Sequence, residues 1–298
     1  MYQEGLQLNT QAQKLKEIVE KAQVEHNPLT TKVLAITSGK GGVGKSMIAS
    51  NLATSLVRRG YKVGIFDASI GLANLDIIFN VHTKKNLLNV LKGECDLKDI
   101  VIEVEENLLL FSGESGSEIF NFESQDIYSK LIEASEFLDT LDYFIIDTGS
   151  GIGKNVQTFL EHADEVIVVT IPDPTAITDA YALIKIASLL NENLNLIVNA
   201  TENEREGRFI YERIRKVAEN NLENPLFLNF LGAIDNSRII SKSLKLRTLF
   251  IKTHPHSIAS YQLEEIVDNL ILQLEHLSPA KKPKNSFGLF FKRLFENI

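Results

Sequence analysis

The chain reads as an α/β protein, with a mostly parallel sheet covered by helices on both faces. Three observations predict this class. Short, nearly unbroken apolar runs recur along the chain: K-V-G-I-F-D (Lys62 to Asp67), N-L-L-L-F (Asn107 to Phe111), Y-F-I-I-D (Tyr143 to Asp147), E-V-I-V-V-T (Glu165 to Thr170) and L-N-L-I-V-N (Leu194 to Asn199). Each has the length and composition of a strand buried on both faces. Between most of them lie longer stretches with helical apolar spacing, such as R-F-I-Y-E-R-I-R-K-V-A from Arg208 to Ala218, and this alternation is the signature of crossover connections in a parallel sheet. A glycine-rich segment sits between a first apolar run, V-L-A-I-T (Val33 to Thr37), and a helical pattern, M-I-A-S-N-L-A-T-S-L-V (Met47 to Val57). In such sheets ligands bind beyond the carboxyl ends of the strands.

The organisation predicted in chain order is an arm, one main domain and a tail. In residues 1–30, Ala12, Leu15, Ile18 or Val19 and Ala22 recur at helical spacing among polar residues, and H-N-P-L-T-T then ends the pattern. That apolar face is too narrow for the arm to stand alone. Residues 31–277 form the main α/β domain; at 298 residues and 44% hydrophobic content, one large domain with extensions is the natural partition. Residues 278–298 begin as a basic linker, S-P-A-K-K-P-K-N-S. They end in a stripe of Phe287, Phe290, Phe291, Leu294, Phe295 and Ile298, flanked by Lys292 and Arg293. A last helix packed on the core would show the same spacing, but the linker and the phenylalanine content favour an amphipathic helix lying on an anionic membrane surface.

Net charge is −8, which argues against bulk nucleic-acid binding. Cys95 is the one cysteine; it cannot form an internal disulfide or supply a zinc or iron–sulfur ligand set, and it suits a reducing cytosol. No apolar run approaches the roughly 20 residues of a membrane span, and the polar start is no secretion signal. The expected location is cytoplasmic.

The glycine segment T-S-G-K-G-G-V-G-K-S, Thr37 to Ser46, contains the phosphate-binding pattern G-x-x-x-x-G-K-[ST]. Its glycines let backbone N–H groups close around phosphates, its lysine reaches the β/γ oxygens and its hydroxyl ligates Mg²⁺. Gly39, Gly44, Lys45 and Ser46 fill those roles, with Gly41, Gly42, Val43 and Met47 completing the cradle. Asp67 and Asp147 each end an apolar run and could hold Mg²⁺ through waters beside Ser46. Lys40 is surplus to the pattern.

K-G-G-V-G-K-S resembles the deviant Walker A motif of the MinD/ParA (SIMIBI-class) ATPases, and F-D-A-S-I-G-L-A-N-L-D resembles the first switch segment of the MinD branch. G-E-S-G, I-I-D-T-G-S-G-I-G and V-T-I-P-D-P-T-A-I-T-D-A-Y are similar to the FlhG (FleN, YlxH) group within that branch. Thr10 to Lys16, T-Q-A-Q-K-L-K, is similar to the group's N-terminal D-Q-A-x-x-L-R motif, with Thr for Asp and Lys for Arg. The tail resembles the membrane-targeting helix of MinD.

The resemblance implies an ATPase that uses ATP/ADP and Mg²⁺, dimerises on ATP and cycles between the cytoplasm and the inner face of the cell membrane, controlling flagellar number and placement. It implies that Lys40 reaches across the dimer to the partner's phosphates, much as an arginine finger does. It places Asn199 at adenine, and it makes Gln11, Ala12 and Leu15 the contact with an FlhF-type GTPase; flagellar switch-complex proteins are further implied partners. Two departures stand out. L-G-A-I-D-N-S lacks the family's proline and has Ser237 where an aspartate stands. Ser69 replaces the second acid of a D-x-D pair, and a serine cannot accept the attacking water's proton, so turnover is expected to be slow. The competing expectations are a DNA-partitioning ATPase of the ParA kind and a nucleotide-binding scaffold with little turnover. An electron-transferring reductase would need two cysteines per subunit.

Overall fold

The computed structural model describes residues 31–69, 74–113, 140–221 and 227–276. The N-terminal arm with Gln11, Ala12 and Leu15, the Glu114-Ser115-Gly116 part of G-E-S-G, and the tail stripe from Phe287 to Ile298 lie outside the described residues.

Among the described residues eight strands form one sheet: β1 (Lys32–Ser38), β2 (Val63–Ala68), β3 (Val101–Glu105), β4 (Leu108–Phe111), β5 (Tyr143–Ser150), β6 (Glu165–Thr170), β7 (Leu194–Thr201) and β8 (Leu228–Asp235). Their spatial order is β3-β4-β2-β5-β1-β6-β7-β8. All neighbours are parallel except β3 and β4. The helices are α1 (Lys45–Arg58), α2 (Leu75–Phe79), α3 (Leu87–Leu91), α4 (Lys154–His162), α5 (Pro174–Leu190), α6 (Glu204–Asn221), α7 (Arg238–Lys245), α8 (Phe250–Thr253) and α9 (Ile258–His276).

The unbroken apolar runs are explained by burial on both faces, because successive strand residues point to opposite sides. On β1, Val33 and Ala35 join the layer packed under α4, α5 and α6. Leu34 and Ile36 join the layer under α1 and α9. β5 divides the same way, Phe144 and Ile146 against Tyr143 and Ile145.

The two strands without an apolar run in the sequence reading, β3 and β8, are the sheet's edges. V-I-E-V-E carries two glutamates, and L-N-F-L-G-A-I-D is broken by Asn229 and Gly232. An edge strand buries less and its pattern thins accordingly. At β8 the backbone is closed by side chains of α9: Gln262 accepts from Asp235 N at 2.9 Å, and Asn269 Nδ2 donates to the Leu231 carbonyl at 2.9 Å. Among the described residues no helix is long and apolar enough to cross a membrane.

Candidate nucleotide site

The parallel register brings the carboxyl ends of β1, β2 and β5 side by side, with Asp67 opposite Asp147. The glycine loop leaves β1 here and turns into α1. Gly44 makes the turn possible. Its φ of 93° lies in the left-handed region, and a Cβ would overlap the Asn199 amide. Gly39 is required for a different reason, since a Cβ there would overlap the backbone carbonyl of Asp179 on α5. No side chain caps the start of α1, so its first N–H groups face the cleft as an anion site.

The cleft has a volume of about 800 Å³, and Gly41, Lys45, Ser46, Ser69, Asn74 and Lys154 are among the residues that line it. That is ample for a nucleotide. Lys45 Nζ donates to Asp147 Oδ1 at 2.9 Å; the two side chains are 10% and 0% exposed. Burial pushes the Asp147 carboxyl above the usual range, opposed by the Lys45 charge, and the nearby Asp67 pushes it further up. Asp147 Oδ2 is buried with no hydrogen-bond partner among the described residues. An orphaned buried carboxylate oxygen beside the cleft that Ser46 lines is chemistry that suits Mg²⁺, an ion held by one or two carboxylates together with waters and phosphates.

Asp67 is arranged differently. Its Oδ1 accepts from Ser69 N at 3.1 Å and from the Ser69 hydroxyl, and its Oδ2 accepts from the N–H groups of Asn74 at 2.8 Å and Leu75 at 3.0 Å. The Ser69 hydroxyl therefore serves Asp67 here. Asn199, 6% exposed, donates Nδ2 to the Val43 carbonyl at 2.8 Å; its Oδ1 and the Thr37 hydroxyl are buried without partners. Ala200 beside it has φ 56°, where the β7–β8 register slips. Ser237 accepts from Ile239 N at 3.2 Å as the N-cap of α7.

Lys40 lies at the mouth of the loop, on the α5 side. Its Nζ donates to Asp173 Oδ1 at 3.1 Å and to the Thr175 hydroxyl. Asp173 is the N-cap of α5 and also accepts from Ala176 N at 2.9 Å. Hydrogen bonds from Thr175, Ala176 and Lys40 hold its carboxyl well below the usual range. Asp173, Thr175 and Lys154 are functional-site neighbours that the sequence reading did not single out. Asp-Pro-Thr is a recognisable helix start, but its contact with a lysine 133 residues earlier is not a local pattern.

Residues 30–271 match the ParA family model, described as an NUBPL iron-transfer P-loop NTPase. The chain belongs to the ParA/MinD family of P-loop NTPases. Family members are ATPases, and this chain is an ATP-binding ATPase of that type. It is 47% identical to the flagellum site-determining protein YlxH of Helicobacter pylori, over 91% of this chain and 92% of that one. It is 31% identical to the antiactivator FleN of Pseudomonas aeruginosa, over 89% and 94%. The fold is that of the septum site-determining protein MinD of Pyrococcus horikoshii, solved with Mg-ADP: the TM-score is 0.64 at 22% identity, covering 84% of this chain and 100% of that one.

Proposed function

We propose that this ParA/MinD-family ATPase is a nucleotide-controlled switch of the YlxH/FleN kind, governing flagellar placement and number. In this reading it dimerises on Mg·ATP and resides on the inner membrane surface while dimeric. The observation that carries the reading is the division of labour between the loop's two lysines. Lys45 is buried and turned into the chain's own cleft, whereas Lys40 is 42% exposed and held outside it by Asp173. A lysine placed at the rim of a phosphate loop can serve a second subunit's nucleotide, stabilising charge on phosphate oxygens across the interface.

Within the cleft, the start of α1 and Lys45 bind the phosphates, and Ser46, Asp147 and Asp67 would hold Mg²⁺. When bound, the ion neutralises charge on the β and γ oxygens. Asn199 Oδ1 is free to accept from an adenine amino group while Nδ2 braces the loop at Val43. With a serine at position 69 no carboxylate stands there for the attacking water, and hydrolysis is slow. Ser69→Asp raises single-turnover hydrolysis by roughly 10- to 1000-fold. The phenylalanine stripe of the tail inserts at an anionic lipid surface, and two stripes joined in a dimer bind far more tightly than one. The arm, through Gln11, Ala12 and Leu15, engages an FlhF-type GTPase, and flagellar switch-complex proteins are the downstream partners.

The test is sedimentation of the full chain with ADP, then with ATP and Mg²⁺, each with and without anionic vesicles. Dimers and vesicle binding with ATP, and monomers free of lipid with ADP, are expected. A monomer that ignores both nucleotide and lipid rejects the switch.

A further inference from the structure

Asp67 and Asp147 stand in register on neighbouring strands, yet only one is open to a new partner. Asp147 keeps a buried oxygen unpaired. Among the described residues Asp67 accepts four hydrogen bonds, two on each oxygen, and an ionised carboxylate offers about four lone-pair sites. It is saturated. A metal-bound water that donates to Asp67 must displace one of these bonds.

Three of the four donors are backbone N–H groups, of Ser69, Asn74 and Leu75, and any residue would supply them. The fourth is the Ser69 hydroxyl, the one donor among the described residues that depends on a side chain's identity. Ser69 Oγ and N together grip Oδ1, which aims Oδ2 at the chain entering α2. We propose that Ser69 is a positioning residue that latches Asp67 onto the Asn74 and Leu75 N–H groups at the start of α2, so that magnesium capture requires the latch to open. An aspartate at position 69 could not make this bond, since an ionised carboxylate has no proton to donate and would repel Asp67. The inference goes beyond the switch reading and rests on its nucleotide site: the same serine that slows hydrolysis also sets how much Mg²⁺ the site needs.

Two measurements on the full chain test it, using Ser69→Ala and the hydroxyl-retaining Ser69→Thr. Without nucleotide, amide hydrogen exchange at Asn74 and Leu75 should speed up about 10-fold in Ser69→Ala, as for loss of one charge-assisted hydrogen bond, and stay at the wild-type rate in Ser69→Thr. With a fluorescent ATP analogue, Ser69→Ala should reach half-maximal Mg²⁺-dependent binding at about 10-fold less Mg²⁺, with Ser69→Thr again like wild type. Unchanged exchange in Ser69→Ala overturns the latch. Faster exchange with an unchanged or higher Mg²⁺ requirement overturns its link to metal capture. Nucleotide binding that ignores Mg²⁺ in every variant overturns the reading of the site beneath it.

Discussion

The two ends of the glycine loop carry the same residue type in opposite circumstances. Lys45 and Asp147 form a pair with side chains 10% and 0% exposed; Lys40 and Asp173 form one in which both are 42% exposed. The inner pair sits where water cannot screen it, so neither partner can be removed without leaving the other in a poorly solvated place. The outer pair is screened on all open sides and exchanges readily with other partners. Burial makes one lysine a fixed part of its own site and leaves the other available to a neighbour.

The largest expected effect comes from breaking the inner pair. Lys45→Ala should abolish ATP binding and lower unfolding free energy by about 3 kcal/mol. That is the low end for an unpaired buried charge, because Asp147 escapes part of the cost by taking up a proton; nucleotide titration and urea unfolding check both. Lys40→Ala should bind ATP with near wild-type affinity and stability but fail to dimerise on it, as sedimentation would reveal. Equal loss of nucleotide affinity in the two variants would erase the contrast between the pairs.

A smaller effect lies in pH dependence, where the two carboxylates have opposite signs. Asp147 is raised above its unfolded value, so the folded state holds a proton that the unfolded state has lost. Stability therefore falls as pH rises from the ordinary carboxylate range through the raised value, and Asp147→Asn should remove that slope. Asp173 is depressed; its contribution is present above the ordinary carboxylate range and is lost as pH falls below it. The smallest effect should be that of Asp173→Asn, which weakens the grip on Lys40 and the cap of α5. Its melting midpoint should drop slightly at neutral pH, less than in Lys45→Ala, and its acid-side slope should flatten.

The buried strands β1, β2, β4, β5, β6 and β7 were legible because each shows apolar side chains to both layers, and such runs have few alternative readings. β3 and β8 were not, because an edge strand mixes in Glu103, Glu105 and Asn229 and looks like a loop to any periodicity argument. Within the site, Gly44, Lys45 and Ser46 were legible for a local reason: the loop's turn and its donors are encoded in consecutive residues. Asp173 was not singled out, because D-P-T marks only the start of a helix. Nothing near it in sequence indicates Lys40, and nothing in D-A-S says that the serine bonds back to the aspartate two residues before it.

The sequence by itself determined the α/β class, the phosphate loop, the two strand-end aspartates and the presence of a second lysine, since periodicity and short-range spacing are properties of contiguous residues. Only the tertiary structure decided how those groups are paired. Among the described residues Asp147 keeps an open oxygen while Asp67 has none, and Lys40 rests on Asp173. Each outcome depends on which chain segments the sheet order brings within hydrogen-bond reach and on how much water remains there, and neither quantity is written in any local stretch of residues.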